Sequence, residues 1–142
     1  MTTVATDGRT MAGDGLAHDR GVITDTDAAK VQRLKDGSLF GCAGDWGDCL
    51  AVCAWLDGDG DKPVKPDSVS ALHLRADGSL IYYGENLFPI PTSAPAAVGS
   101  GMAHALTAMD LGLDSHAAVK MAAKRDTLTG GDIIVISLED RP

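Results

Sequence analysis

An α+β fold of stacked sheet and helix layers is predicted for this chain from three observations. Segments with strand signals and segments with helical spacing fall in separate runs, an order that favours helices laid over sheet faces. Of 142 residues, 44% are apolar and 23% charged, a balance that suits one globular domain over residues 1–142 with a buried core. No self-similarity of solenoid period is present.

Taken in order, residues 2–6 (T-T-V-A-T) are β-prone and are followed by Asp7-Gly8 and a second β-prone run at 9–12. Asp-Gly between two such runs is a strong hairpin signal, so two paired strands open the chain. Residues 13–29 are rich in Gly and Asp and read as irregular, leading into Lys30-Val31-Gln32-Arg33-Leu34. After a turn at Asp36-Gly37, residues 38–43 read as a buried strand ending at Gly44. Apolar residues at 46, 49, 50, 53, 54 and 56 then predict a helix over 45–56. Residues 57–67 are a polar Pro/Gly turn region. Its Asp57, Asp59, Asp61 spacing is like the start of a calcium loop, but Lys62 stands where Gly is needed and Ser68 where Glu is needed, which leaves a solvated loop. Residues 68–74 and 79–83, joined by Ala76-Asp77-Gly78, read as a second hairpin, and the three prolines within 87–95 require extended chain at the surface. Helices over 99–109 and 115–124 and a last strand over 133–136 complete the order.

Charge and composition exclude several functions. With 12 Lys+Arg against 20 Asp+Glu the net charge is −8, so a nucleic-acid backbone would meet a repulsive field. No apolar run approaches the roughly 18 residues of a membrane span, and no basic segment followed by an apolar run marks a secretory leader. The three cysteines, Cys42, Cys49 and Cys53, are clustered and odd in number, which reads as buried free thiols in a reducing cytoplasm. The four histidines are scattered, so they supply no second pair for a zinc site, and no cofactor is expected.

One stretch suggests chemistry. Removal of Met1 would expose Thr2 as the first residue, a hydroxyl nucleophile that carries its own α-amine. An α-amine with a pKa of about 7.7 to 8.0 is partly neutral at physiological pH and can accept the hydroxyl proton. Alone, Thr2 is an ordinary start to a strand, Lys30 a solvated lysine, Asp14 a turn residue, Ser100 a helix N-cap and Gly44 a turn glycine.

Together, several separated segments resemble the proteasome β-subunit superfamily, most closely the bacterial HslV-type peptidases, which are N-terminal nucleophile hydrolases. The matching residues are Thr2-Thr3-Val4, Ala12-Gly13-Asp14-Gly15, Lys30-Val31 with Arg33-Leu34, Gly41 to Gly44 with Asp48, Gly99-Ser100-Gly101, and Lys124-Arg125-Asp126 with Thr129-Gly130-Gly131. The resemblance implies a four-layer αββα sandwich of two antiparallel sheets between helix layers. It implies that Thr2 is the nucleophile, that Lys30 lowers its pKa, that Asp14 holds Lys30, and that the Gly44 N–H is the oxyanion donor. Ser100, Asp126 and Thr129 match the residues around the α-amine, with Thr129 where proteasome subunits carry serine. Cys42 and Trp46 match positions of the substrate pocket.

HslV-type chains have two long helices between the Gly-rich turn and the next hairpin, whereas this sequence has room for one short helix, so one helix layer is expected to be reduced. The implied function is a threonine-type endopeptidase acting on polypeptides, in a homo-oligomer for which a ring is the implied form, with an AAA+ unfoldase as a candidate partner. A non-catalytic assembly subunit and a small-molecule amidase of the N-terminal nucleophile group are the rival readings.

Overall fold

The computed structural model describes residues 2–139. The run after Thr2 forms β1 (Thr3–Thr6), which turns and returns as β2 (Thr10–Gly13). The turn is held by Asp7, whose Oδ1 accepts the amides of Arg9 and Thr10 at 2.9 and 2.8 Å. β1 also pairs with β10 (Ala96–Gly99) and β2 with β11 (Ile134–Ser137), giving an antiparallel sheet of order β10-β1-β2-β11. A second antiparallel sheet runs β5 (Val31–Arg33), β6 (Leu39–Gly44), β7 (Val69–Leu74), β8 (Leu80–Tyr83) and β9 (Ile90–Thr92). A separate ribbon pairs β3 (Ala17–Asp19) with β4 (Val22–Asp25).

Three helices accompany the sheets among the described residues: α1 (Trp46–Leu56), α2 (Met102–Asp110) and α3 (Ser115–Arg125). α1 begins where the sequence signals it, because the Asp45 side chain accepts from the Asp48 amide at 3.0 Å and satisfies one orphan N–H of the first turn. Asp114 caps α3 in the same way.

Side chains alternate between the faces of each strand, and this period separates three apolar clusters. Val4 and Met11 meet Leu39, Leu72 and Val98 between the two sheets. Ala5 and Ala12, one residue further along their strands, meet Ala105, Ala108, Ala118 and Val119 of α2 and α3. Small side chains on both sides let those helices lie close to the sheet. On the far face of the larger sheet, Phe40, Val69 and Ile81 meet Val52 and Cys53 of α1, with Leu87 closing the cluster.

The predicted hairpins, all three helices and the last strand are present, with ends shifted by up to three residues. Residues 13–29, read as irregular, instead contain β3 and β4, and β5 follows directly. The ribbon escapes a periodicity reading because all four residues of β4 are exposed, so there is no apolar alternation, and its turn uses Arg20 at φ 51° before Gly21 at φ 79°. Arginine carries no signal for a left-handed turn position. The proline-rich stretch is extended and exposed as expected and forms edge strand β9, where Pro91 costs least. Ala96–Gly99, not expected as a strand, is buried as β10; its small residues have little intrinsic strand signal, and burial between β1 and α2 overrides it. Between β6 and β7 there is one short helix, as expected.

One buried polar group ties β6 to β7. Ser38 Oγ donates to Asp36 Oδ1 at 2.5 Å and lies 2.8 Å from His73 Nε2, which therefore donates to it, while His73 Nδ1 has no partner. Burial pushes the His73 pKa below its usual 6.5, with the Asp36 carboxylate opposing and Arg75 adding to the shift. Below pH 6.5 the unfolded chain thus takes up a proton that the folded chain refuses, and stability falls as pH drops towards the lowered value. Urea denaturation across this range should show a steeper acid loss for the wild type than for His73→Gln; equal slopes would contradict the buried neutral imidazole.

Candidate active site

Thr2 directly precedes β1 and is 5% exposed; hydrogen bonds to its carbonyl and to Thr3 hold this end of the strand. Asp14, immediately after β2, grips Thr3 twice: its amide donates to Thr3 O at 3.1 Å and its Oδ1 accepts from Thr3 N at 3.0 Å. The Thr3 hydroxyl lies 2.7 Å from Thr129 Oγ1, which in turn donates to Asp126 Oδ2 at 2.5 Å. Ser100 Oγ donates to the same Asp126 oxygen at 2.6 Å and stands 3.4 Å from Thr2 O. Partial burial pushes the Asp126 carboxyl up, but the Ser100 and Thr129 hydroxyls and the Leu128 amide together hold it below the usual carboxylate range. An anion therefore stands beside the Thr2 carbonyl, carried on the C-terminus of α3.

Close approach here is possible only because Gly99 lacks a side chain. A Cβ at Gly99 would fall 1.9 Å from Thr2 O, and Gly99 also has φ 100°, which other residues rarely adopt.

Behind Thr2 lies a buried ion pair. Lys30 Nζ donates to Asp14 Oδ1 at 3.0 Å and to Leu16 O at 2.6 Å, with side-chain exposures of 4% for Lys30 and 0% for Asp14. The other Asp14 oxygen accepts from Gly130 N at 3.0 Å and Leu16 N at 3.4 Å. Burial lowers the Lys30 pKa from 10.5, and the Asp14 carboxylate opposes that shift without cancelling it. Lys30 is placed by its position just before β5, where its carbonyl accepts from Cys42 N at 3.2 Å.

Thr2, Lys30, Gly44 and Trp46 line one cleft of ≈ 300 Å³ together with Leu16, His18 and Asp45. Gly44 ends β6 at φ 129°, and a Cβ there would meet Ser68 O at 2.2 Å, so both the conformation and the space demand glycine. The exposed indole of Trp46 forms the rim. Cys42, matched to the substrate pocket, is not on the cleft wall: its thiol is buried in the cluster under α1, because strand alternation turns it to the helix side of β6. Burial and the neighbouring Cys49 thiol, the latter first, push its pKa up, so it is an inert core thiol. All three cysteines are buried and free.

Of the residues expected from the sequence, Thr2, Lys30, Gly44 and Trp46 share one cleft, Asp14 is bonded to Lys30, and Ser100, Asp126 and Thr129 form one hydrogen-bond network that reaches the Thr2 carbonyl. Sequence reasoning misses Leu16 and His18, which reach the cleft through the ribbon that no pattern announces. It also assigns no part to Thr3, whose hydroxyl connects Thr129 to the strand.

The ion pair makes a stability prediction. Asp14→Ala should cost about 3–5 kcal/mol in denaturant unfolding because the buried Lys30 ammonium loses the carboxylate 3.0 Å from it. Asp14→Ala combined with Lys30→Met should recover a large part of that loss. A double variant no more stable than Asp14→Ala would contradict the pairing.

No protein-family model and no curated protein matches the chain. Among solved structures it is similar to Thiobacillus denitrificans BPH, with 20% identity, a TM-score of 0.72, and coverage of 99% of this chain and 100% of that one. The same protein in complex with epoxomicin aligns with 18% identity and a TM-score of 0.74 over 98% and 100% of the two chains. Eukaryotic HslV from Trypanosoma brucei aligns with 17% identity and a TM-score of 0.72 over 96% and 98%. At such identities the likeness is one of fold: the chain has the fold of Thiobacillus denitrificans BPH and of Trypanosoma brucei HslV.

Proposed function

We propose that the chain is a threonine-type endopeptidase whose nucleophile is Thr2 after removal of Met1; Met1 itself lies outside the described residues. The observation that carries the reading is the convergence of Thr2, Lys30 and Gly44 on one cleft, with the buried Asp14 carboxylate holding Lys30 from behind. A cation kept close to a hydroxyl favours its ionised form; burial lowers the Lys30 pKa, and the Asp14 carboxylate opposes that shift and so supports the ammonium form.

In the proposed mechanism Thr2 Oγ1 attacks the scissile carbonyl and its proton passes to the Thr2 α-amine. The Gly44 N–H receives the developing oxyanion. The tetrahedral intermediate collapses, the α-ammonium gives its proton to the leaving amine, and the acyl group remains on Thr2. Water, deprotonated by the α-amine, then releases the acid. The Asp126 anion, with Ser100 and Thr129, holds the α-ammonium form in place between these transfers.

The same proposal includes a four-layer αββα arrangement, supported by the three apolar clusters, with a single helix in the reduced layer. It includes a cytoplasmic homo-oligomer closing into a ring, with substrates delivered by an AAA+ unfoldase; the likeness to HslV supports this. Among the described residues no helix is long and apolar enough to cross a membrane. Epoxomicin, the ligand of one similar structure, is a ready probe of the cleft.

Mature protein beginning at Thr2 should hydrolyse unstructured fluorogenic peptides, and Thr2→Ala should reduce kcat by about 10³-fold or more. Epoxomicin should bind the mature wild type and block its peptide hydrolysis. Equal hydrolysis by wild type and Thr2→Ala would overturn the proposal.

A further inference from the structure

The outer face of α2 and α3 carries a feature that the proposed chemistry does not use. Leu111 is 81% exposed, and Leu113 and Met121 are each more than 40% exposed, so three large apolar side chains stand in water on one small surface. They line a groove of ≈ 230 Å³ whose other end is formed by His104 and Arg125. That volume is below the range of small-molecule sites and suits one or two side chains of another polypeptide.

The charge of this face is opposite to that of the rest of the molecule. The chain has 20 acidic against 12 basic residues, yet α3 (SHAAVKMAAKR) contains Lys120, Lys124 and Arg125 and no acid. Arg125 lines the groove itself, and Lys120 and Lys124, one turn apart and each next in sequence to a groove residue, stand exposed on α3 beside it. None of the three makes an ion pair among the described residues. Of the acids on or next to these helices, Asp110 and Asp114 sit at the Leu111 end, where Asp114 caps α3, and Asp126, next to Arg125, is engaged by the Ser100 and Thr129 hydroxyls. The groove is thus apolar at one end and cationic at the other.

We infer that the α2–α3 groove docks an acidic segment of a partner protein, with an apolar side chain seated among Leu111, Leu113 and Met121 and neighbouring carboxylates facing Arg125, Lys124 and Lys120. Unpaired cations beside an apolar patch steer and orient such a segment, and the buried apolar anchor supplies most of the affinity. A nucleic acid is a poor alternative because the remaining charge of the protein repels a phosphate backbone. The inference is independent of the chemistry at Thr2.

Fluorescence anisotropy of a labelled peptide with two leucines flanked by glutamates, titrated with the full chain, tests it. Saturable binding is expected that weakens by about tenfold or more for Arg125→Glu and for Leu111→Ser, and that weakens as salt is raised. Both substitutions fall on solvent-facing side chains, and circular dichroism confirms that each variant is folded. A control peptide with lysines in place of the glutamates, and one with serines in place of the leucines, should bind far less. No saturable binding, equal binding by both variants, or equal binding of the lysine peptide would overturn the proposal. Self-association of the wild type that Leu111→Ser abolishes, seen by sedimentation, would overturn it too by assigning the face to a second copy.

Discussion

A single carboxylate holds the functional end of this molecule together. Asp14 is fully buried and accepts hydrogen bonds from Thr3 N, Leu16 N, Gly130 N and Lys30 Nζ. These donors come from the start of β1, the chain entering the β3–β4 ribbon, the segment before β11, and the residue that opens β5. An ionised carboxylate with its lone pairs occupied and a cation beside it tolerates burial that would otherwise be prohibitive. The strands that converge here are consequently fixed relative to one another by electrostatics at the end of the sheets and by apolar packing through the middle.

The rest of the site follows from that anchoring. Thr2 is carried one residue ahead of the strand that Asp14 clamps, so its place in space is inherited from the sheet register. Gly99 and Gly44 provide the two close approaches, one against the Thr2 carbonyl and one against Ser68. α3 delivers Asp126 to the opposite side of Thr2 because Ala118 and Ala122 let the helix lie flat on the four-stranded sheet. Two electrostatic centres therefore lie near Thr2: the Asp14–Lys30 pair, whose lysine lines the same cleft, and an anionic Asp126, whose partner Ser100 stands 3.4 Å from Thr2 O. That asymmetry matches a group that must lose a proton at its hydroxyl and gain one at its amine.

Much of this was legible in the sequence, and the parts that were not have physical causes. The paired opening strands, the capped helix after Gly44 and the 76–78 hairpin turn are local signals, written in Asp-Gly and Asp at positions where their side chains satisfy backbone amides. Thr2, Asp14, Lys30 and Gly44 were found through their order along the chain, since each alone is unremarkable. The β3–β4 ribbon was invisible because an exposed ribbon has no apolar period, and with it His18 was lost from the cleft. β10 was invisible because its alanines become strand residues only through burial between β1 and α2. Cys42, assigned to the substrate pocket through the resemblance, lies instead on the α1 side of β6, because a strand turns alternate residues to opposite faces.

The central claim is that residue 2 forms a covalent intermediate with the substrate's acyl group. The direct measurement is mass spectrometry of the mature protein quenched during turnover of an activated ester, followed by digestion to locate the added mass. The account predicts an acyl adduct on the N-terminal peptide at Thr2, absent in Thr2→Ala and in protein that retains Met1. Turnover with no adduct at Thr2, or an adduct that persists in Thr2→Ala, would contradict it.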